Sequence, residues 1–469
     1  MIGNMRDYVD IIEDFPCVSF FSGRCQQIIF RFIQPSTITL ALVINPYSAE
    51  MRFAVRVSTP SCSFFLRNDR CTTDRFYACN SVGQGFAPSD DENPARHEFL
   101  HDPSEGLPLS YTYYLEQDII EMRRSIQMKA MVLNGVADLK RNRQPLELTD
   151  MALPVPGEKE ILVKVTRCGV CHTELDEIEG RITPSRFPIV LGHQIIGRVE
   201  RRGSKAERFG PGERVGIAWI YSACGRCRFC LEGNENLCAD FMATGRDSNG
   251  GYAEYTVVSE DFAYRIPGIF SDSEAAPLLC AGAIGYRSLK LTGLQDGKNI
   301  GLTGFGASGH LVLKILRYSF PNSRVFVFSR TTAERKFAGE LGAFWTGDTE
   351  DEPPEKLTAI IDTTPAWKPV VKAMRSLDKG GRLVINAIRK EERDNESLLE
   401  IDYSRDLWME KEIKSVANIT RKDVEEFLAL AAEIPIRPEI QEYAFDEANR
   451  ALLELKERKI RGAKILRIQ

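Results

Sequence analysis

The sequence has no surplus of positive charge. Its 61 lysines and arginines are outnumbered by 66 aspartates and glutamates, for a net charge of −5. Nucleic-acid binding needs clustered positive charge, so no nucleic-acid partner is expected. A basic start is missing as well: Asp7, Asp10, Glu13 and Asp14 fall among the first residues, which argues against a secretory signal. There is no early apolar run of bilayer length either, because Ile28 to Ile44 is broken by Arg31, Gln34 and Pro35. No membrane association is expected. With 43% hydrophobic and 27% charged residues, the composition lacks the bias of disordered or fibrous chains. A chain of 469 residues has material for two or three domains, each with its own core.

The 12 cysteines are unevenly spread. Cys17, Cys25, Cys62, Cys71 and Cys79 are scattered, whereas seven fall between Cys168 and Cys280 at metal-ligand spacings. Thiols kept for metal imply a reducing compartment, hence the cytoplasm. The most local group is Cys224-Gly-Arg-Cys227-Arg-Phe-Cys230, followed by Cys238. Four thiolates within fifteen residues can close a tetrahedral zinc shell without help from the rest of the chain. A closed shell implies a structural ion. The first three also fit an iron–sulfur spacing, but the fourth lies too far on and lacks the following proline.

A second group is dispersed. Cys168-Gly-Val-Cys171-His172-Thr173-Glu174-Leu-Asp176 precedes Leu191-Gly192-His193-Gln194, and Cys280 follows much later. A Cys2His set drawn from these has the composition of a catalytic zinc with one position open.

Residues 1–127 alternate short β-branched and aromatic runs with polar pieces and carry no repeat or chemical motif. They are read as an unassigned extension: an extra domain, a disordered segment, or translated leader ahead of a true initiator at Met128. In the last case Arg123-Arg124, if encoded AGG-AGG, would form a ribosome-binding tract. Mass spectrometry of protein made from the native gene would decide between them. From Met128 to about 285, short strands punctuated by glycine and proline predict a β-rich, barrel-like domain. From 286 to 420, helices alternate with buried strands such as Arg324-Val-Phe-Val-Phe328, which predicts a parallel sheet. Residues 421–469 add an amphipathic helix and a final strand that could return to the first domain.

Within the α/β part, Gly304-Phe-Gly306-Ala-Ser-Gly309 sits between a strand and an apolar helix. There it suits the turn that presents helix N–H groups to a dinucleotide pyrophosphate. The next strand ends in Ser329-Arg330, where NAD-specific sites place an acid for the ribose hydroxyls. A guanidinium without that acid favours the 2′-phosphate, and so NADP over NAD.

On these motifs, residues 128–469 resemble a zinc-dependent medium-chain alcohol dehydrogenase. The resemblance implies an α/β chain with a GroES-like catalytic domain and a Rossmann doubly wound parallel sheet. It implies two zinc ions per subunit: one on Cys171, His193 and Cys280, with Cys168 only a neighbour, and one on Cys224, Cys227, Cys230 and Cys238. Thr173 would pass on the alcohol proton, Glu174 would support the zinc histidine, His172 would contact cofactor phosphate and Trp219 would wall the substrate pocket. The family reaction is reversible hydride transfer between an alcohol and NAD(P), usually in a dimer or tetramer. Polyol, sugar and amino-alcohol dehydrogenases share the scaffold, and a non-catalytic NADP(H) redox sensor is the reading from another class. Two positions depart from the pattern. Asp176 replaces a histidine that often ends the proton relay, and Gln194 replaces the usual glutamate beside the zinc histidine.

Overall fold

A computed structural model describes residues 127–457 and 462–469, together with the backbone of four strands nearer the start. The chain divides into two compact units, Met1–Glu105 and Gly106–Gln469. In the first, β1 (Gln26–Arg31), β2 (Thr37–Ile44), β3 (Met51–Thr59) and β4 (Cys62–Arg67) form an antiparallel meander. The β-branched run Ile38–Ile44 falls within β2, as β-propensity favours. Cys17, Cys25, Cys71, Cys79 and the proposed Arg123-Arg124 tract lie outside the described residues.

The second unit opens with β5 (Gln127–Leu133), which contains Met128 and pairs with β6 (Leu146–Ala152) and β8 (Ile189–Val190). A seven-stranded sheet lies beside them: β7 (Glu160–Val170), β9 (Ile195–Arg202), β10 (Arg214–Ile217), β13 (Tyr255–Ser259), β14 (Ala263–Arg265), β21 (Ile440–Ala444) and β22 (Ala463–Arg467). Its long central strand β7 carries Ile161, Leu162, Val163 and Val165 with no exposed surface. A strand buried on both faces needs such a continuous apolar run. β22 pairs antiparallel with β7 and parallel with β21, so the last strand of the chain lies inside this sheet. A small ribbon, β11 (Ile220–Ser222) and β12 (Met242–Ala243), flanks the cysteine-rich lobe.

The other lobe is a six-stranded sheet of β15 (Ile300–Thr303), β16 (Val325–Phe328), β17 (Trp345–Gly347), β18 (Leu357–Asp362), β19 (Leu377–Ile385) and β20 (Glu412–Ser415). The order is β17-β16-β15-β18-β19-β20 and every pairing is parallel. This is the doubly wound 3-2-1-4-5-6 order, whose topological switch lies between β15 and β18. Helices Ala307–Ser319, Thr332–Glu340 and Trp367–Ser376 link its strands.

The two lobes share a core. Helix Ala281–Thr292 runs through the border drawn at 285/286, and helix Arg421–Glu433 buries Phe427 and Leu428 in the cluster that holds Ile300 and Leu302. The segment after 420 therefore first supports the nucleotide lobe and only then supplies β21 and β22 to the catalytic sheet. Among the described residues no helix is long and apolar enough to cross a membrane.

Candidate active site and metal centres

Three separate segments deliver one cluster. Cys171 follows β7 and caps helix His172–Ile178, accepting a hydrogen bond from Thr173 N at 3.3 Å. His193 lies between β8 and β9, after Gly192 at φ +95°. Cys280 caps helix Ala281–Thr292. His193 Nε2 lies 3.7 Å from Cys171 Sγ and 3.2 Å from Cys280 Sγ, and all three ligand atoms fall within 4.8 Å of one another. The Cys171 thiol is pushed well above its usual range, first by its hydrogen bond with Cys280 and then by burial. A Cys171 thiol held neutral in this way becomes a thiolate only where a cation compensates, and two sulfurs with an imidazole are the donor set of a soft divalent metal. Cys168 is buried nearby, outside the cluster.

The cap also orders the surroundings. Glu174 Oε2 accepts from Cys171 N at 2.7 Å, while Oε1 lies 2.7 Å from His193 Nδ1, an ionic contact off the axis of a hydrogen bond. Burial works against charging His193, but Glu174 and then Cys171 outweigh it and hold its pKa well above the usual value. Trp219 packs edge-on to the His193 ring, with centroids 4.9 Å apart. Thr173 is buried beside Cys171, Gln194 is buried next to His193, and His172 is exposed.

Asp176 faces elsewhere. Its Oδ1 accepts from Arg181 Nε at 2.6 Å and from Arg389 Nε at 3.0 Å, the second reaching over from the nucleotide lobe. Its hydrogen bonds thus run to two guanidiniums, one on its own lobe and one on the other.

Cys224, Cys227, Cys230 and Cys238 converge in a separate group with ligand atoms within 4.8 Å. The backbone N–H of Arg226 and of Cys227 lower the Cys224 thiol to about 6, whereas burial pushes Cys230 up to about 12. Such a split is expected of thiols crowded around one ion site. The seven cysteines from Cys168 to Cys280 are free thiols.

The glycine loop lies at the switch point. Gly304 has φ +79°, and a Cβ there would meet Thr363 Oγ1 at 2.7 Å; a Cβ on Gly306 would meet nothing within 4 Å. Gly306 begins helix Ala307–Ser319 with no side-chain cap, which leaves its first N–H groups for an anion. Gly309 lets this helix approach the Gly304 carbonyl. A dinucleotide pyrophosphate fits this open cradle. Helix Ala281–Thr292 packs on the loop helix, where Ser308 Oγ donates to Ala281 O at 3.0 Å and a Cβ on Gly285 would strike Val312. The cradle and Cys280 are thereby tied together. Beyond β16, Ser329 is buried and Arg330 is exposed with no ion pair among the described residues.

Sequence reasoning missed several residues. Glu177 is completely buried with both carboxylate oxygens unpartnered among the described residues. Helical position alone marked it as one turn from Thr173. Arg389 gave no local signal, being 213 residues from Asp176. Asp362, at the end of β18, accepts from Thr303 Oγ1 and from Lys390 Nζ, closing the floor of the crevice.

A metal-binding β-rich lobe joined to a doubly wound nucleotide lobe defines a two-domain, metal-assisted dehydrogenase. Comparison with known proteins specifies the family. The model of the alcohol dehydrogenase GroES-like domain matches residues 157–268. A probable alcohol dehydrogenase, AdhA, of Mycobacterium tuberculosis is 40% identical over 329 residues, 69% of this chain and 93% of that protein. An alcohol dehydrogenase of Geobacillus stearothermophilus is 32% identical over 352 residues, 73% and 99% of the two chains. A cobalt- and zinc-bound thermostable alcohol dehydrogenase from Pyrobaculum aerophilum shares the fold, with a TM-score of 0.65 at 22% identity over 73% of this chain and all of that one. The chain belongs to the zinc-dependent medium-chain alcohol dehydrogenase family, and its activity is that of an alcohol dehydrogenase.

Proposed function

We propose that the protein interconverts a small alcohol and its aldehyde or ketone in the cytoplasm, with two zinc ions per subunit and NADP as the preferred cofactor. The observation that carries this reading is the Cys171, His193 and Cys280 cluster fastened through helix Ala281–Thr292 to the glycine cradle. When bound, zinc supplies a Lewis acid for the substrate oxygen and the nicotinamide gives or takes the hydride.

The chain's own residues do the rest. Cys171, His193 and Cys280 hold the catalytic ion; Cys224, Cys227, Cys230 and Cys238 hold the other. Thr173 takes the alcohol proton, and Glu174 fixes the His193 ring. Trp219, held against that ring, limits the pocket to small or flat molecules. Gly304, Gly306 and Gly309 admit the pyrophosphate, His172 contacts phosphate from the exposed face of its helix, and Ser329 with Arg330 receives the 2′-phosphate. Asp176 ties the lobes together and is not the relay's outer base, a role its two arginine partners oppose. A homo-oligomer, dimer or tetramer, is the assembly that the family resemblance implies.

Metal analysis combined with an NADP(H)-linked screen of alcohols and carbonyl compounds tests the reading. Two zinc ions per chain and turnover abolished by His193→Ala or Cys280→Ala in folded protein are expected. Full zinc and tight NADP(H) binding without turnover on a broad panel would favour a redox sensor instead.

A further inference from the structure

We propose that Glu334 sets the balance between NAD and NADP, as a carboxylate fixed at the adenosine-ribose end of the crevice in opposition to Arg330; this rests on the dinucleotide reading above. In a doubly wound sheet that ribose lies beyond the carboxyl end of the second strand, here β16. No acid stands at the strand tip itself, where Ser329 and Arg330 follow Phe328. The acid arrives from the next helix. Ser329 Oγ donates to Glu334 Oε2, and Glu334 N donates to Thr331 Oγ1 at 3.2 Å, so both its backbone and its side chain are anchored beside the tip.

The positive charge there is smaller than the sequence suggests. Arg335 is committed to Ser329 O at 2.6 Å and to Asp348 Oδ2 at 2.9 Å. Arg330 is left as the exposed guanidinium with no ion pair among the described residues, one residue beyond the Ser329 that holds Glu334. A fixed carboxylate accepts ribose hydroxyls and repels a 2′-phosphate, while a free guanidinium does the reverse. Arg330 thus favours NADP, and Glu334 is the weight on the NAD side that limits this preference.

The test uses the full-length, zinc-loaded protein. Glu334→Gln keeps an acceptor for Ser329 Oγ and removes only the charge. Calorimetric affinity for adenosine 2′,5′-bisphosphate relative to 5′-AMP should rise about tenfold, the scale of one partly screened charge near the ribose. The NADPH to NADH ratio of kcat/KM should move the same way, and Arg330→Ala should move both in the opposite direction. Shifts below about twofold for Glu334→Gln, with both nucleotides still bound, would overturn the role of Glu334 and leave the dinucleotide reading intact. Failure of the unaltered protein to bind either nucleotide would remove both.

Discussion

Arg389, from the loop after β19, donates to Asp176 at 3.0 Å on the helix capped by Cys171. Asp176 is almost wholly buried and Arg181 binds the same oxygen, so the contact spans the cleft between the lobes with its charges compensated.

The Asp176 to Arg389 contact should show measurable coupling. In a double-mutant cycle of Asp176→Asn and Arg389→Gln, denaturant unfolding should give a coupling of about 1–2 kcal/mol, more than a solvent-exposed pair provides. The pH–rate profile of Asp176→Asn should keep its shape, because the side chain does not carry the proton. A lost limb in that profile would return Asp176 to the relay.

Glu174 touches His193 Nδ1, so its removal should act through the metal. Glu174→Ala should weaken zinc binding at the Cys171, His193 and Cys280 site by 10–100-fold, roughly the usual effect of losing a partner behind a histidine ligand. Competition with a chromophoric chelator measures this directly. Unchanged affinity would mean that the contact orients nothing.

Gln194 makes the neighbourhood of the site less negative than a glutamate would. A unit charge at about 5 Å contributes roughly 3 kcal/mol at an effective dielectric of 20, before further screening. Added negative charge favours the protonated form of a nearby acid, so Gln194→Glu should raise the kinetic pKa for alcohol oxidation by about one unit. The pH dependence of kcat/KM gives the answer, and an unmoved profile rejects the argument.

Glu177 should make stability fall as pH rises. Burial first, and then the charge of Glu174, holds its carboxyl well above the usual range. The folded chain therefore keeps a proton that the unfolded chain releases once pH passes the ordinary glutamate value. No penalty exists below that value, and it grows as pH climbs towards the folded one. Glu177→Gln should leave stability near pH 4 unchanged and raise it at pH 8 by on the order of 1–3 kcal/mol, roughly 1.4 kcal/mol for each unit by which the folded carboxyl titrates above the unfolded one. Thermal melts at the two pH values check this; an equal effect at both would show that charge is not involved.

What could be read from the sequence was what is encoded locally. Four cysteines within a short span, and a glycine loop between a strand and a helix, need only neighbouring residues to declare themselves. The pattern of short buried runs such as Val325–Phe328 likewise exposed the parallel sheet. Contacts between distant segments stayed hidden. Nothing near Asp176 indicated that a guanidinium 213 residues away would claim it, and nothing near Ser329 showed that its hydroxyl would hold Glu334 rather than leave the strand tip to Arg330. The domain borders blurred for a similar reason: helix Ala281–Thr292 carries a metal ligand at its start and packs on the nucleotide lobe along its length, so it serves both.

Placing β22 between β7 and β21 imposes an order on biogenesis. A ribosome finishes β15 to β20 before it makes Ala463–Arg467, so all six parallel strands are in hand while the seven-stranded sheet still lacks the link between β7 and β21. β7, which leads directly into Cys171, gains its neighbour along Arg167–Val170 only once β22 has been made. A nascent chain stalled before Ala463 would accordingly display an open β-edge beside Cys171 in place of a finished sheet.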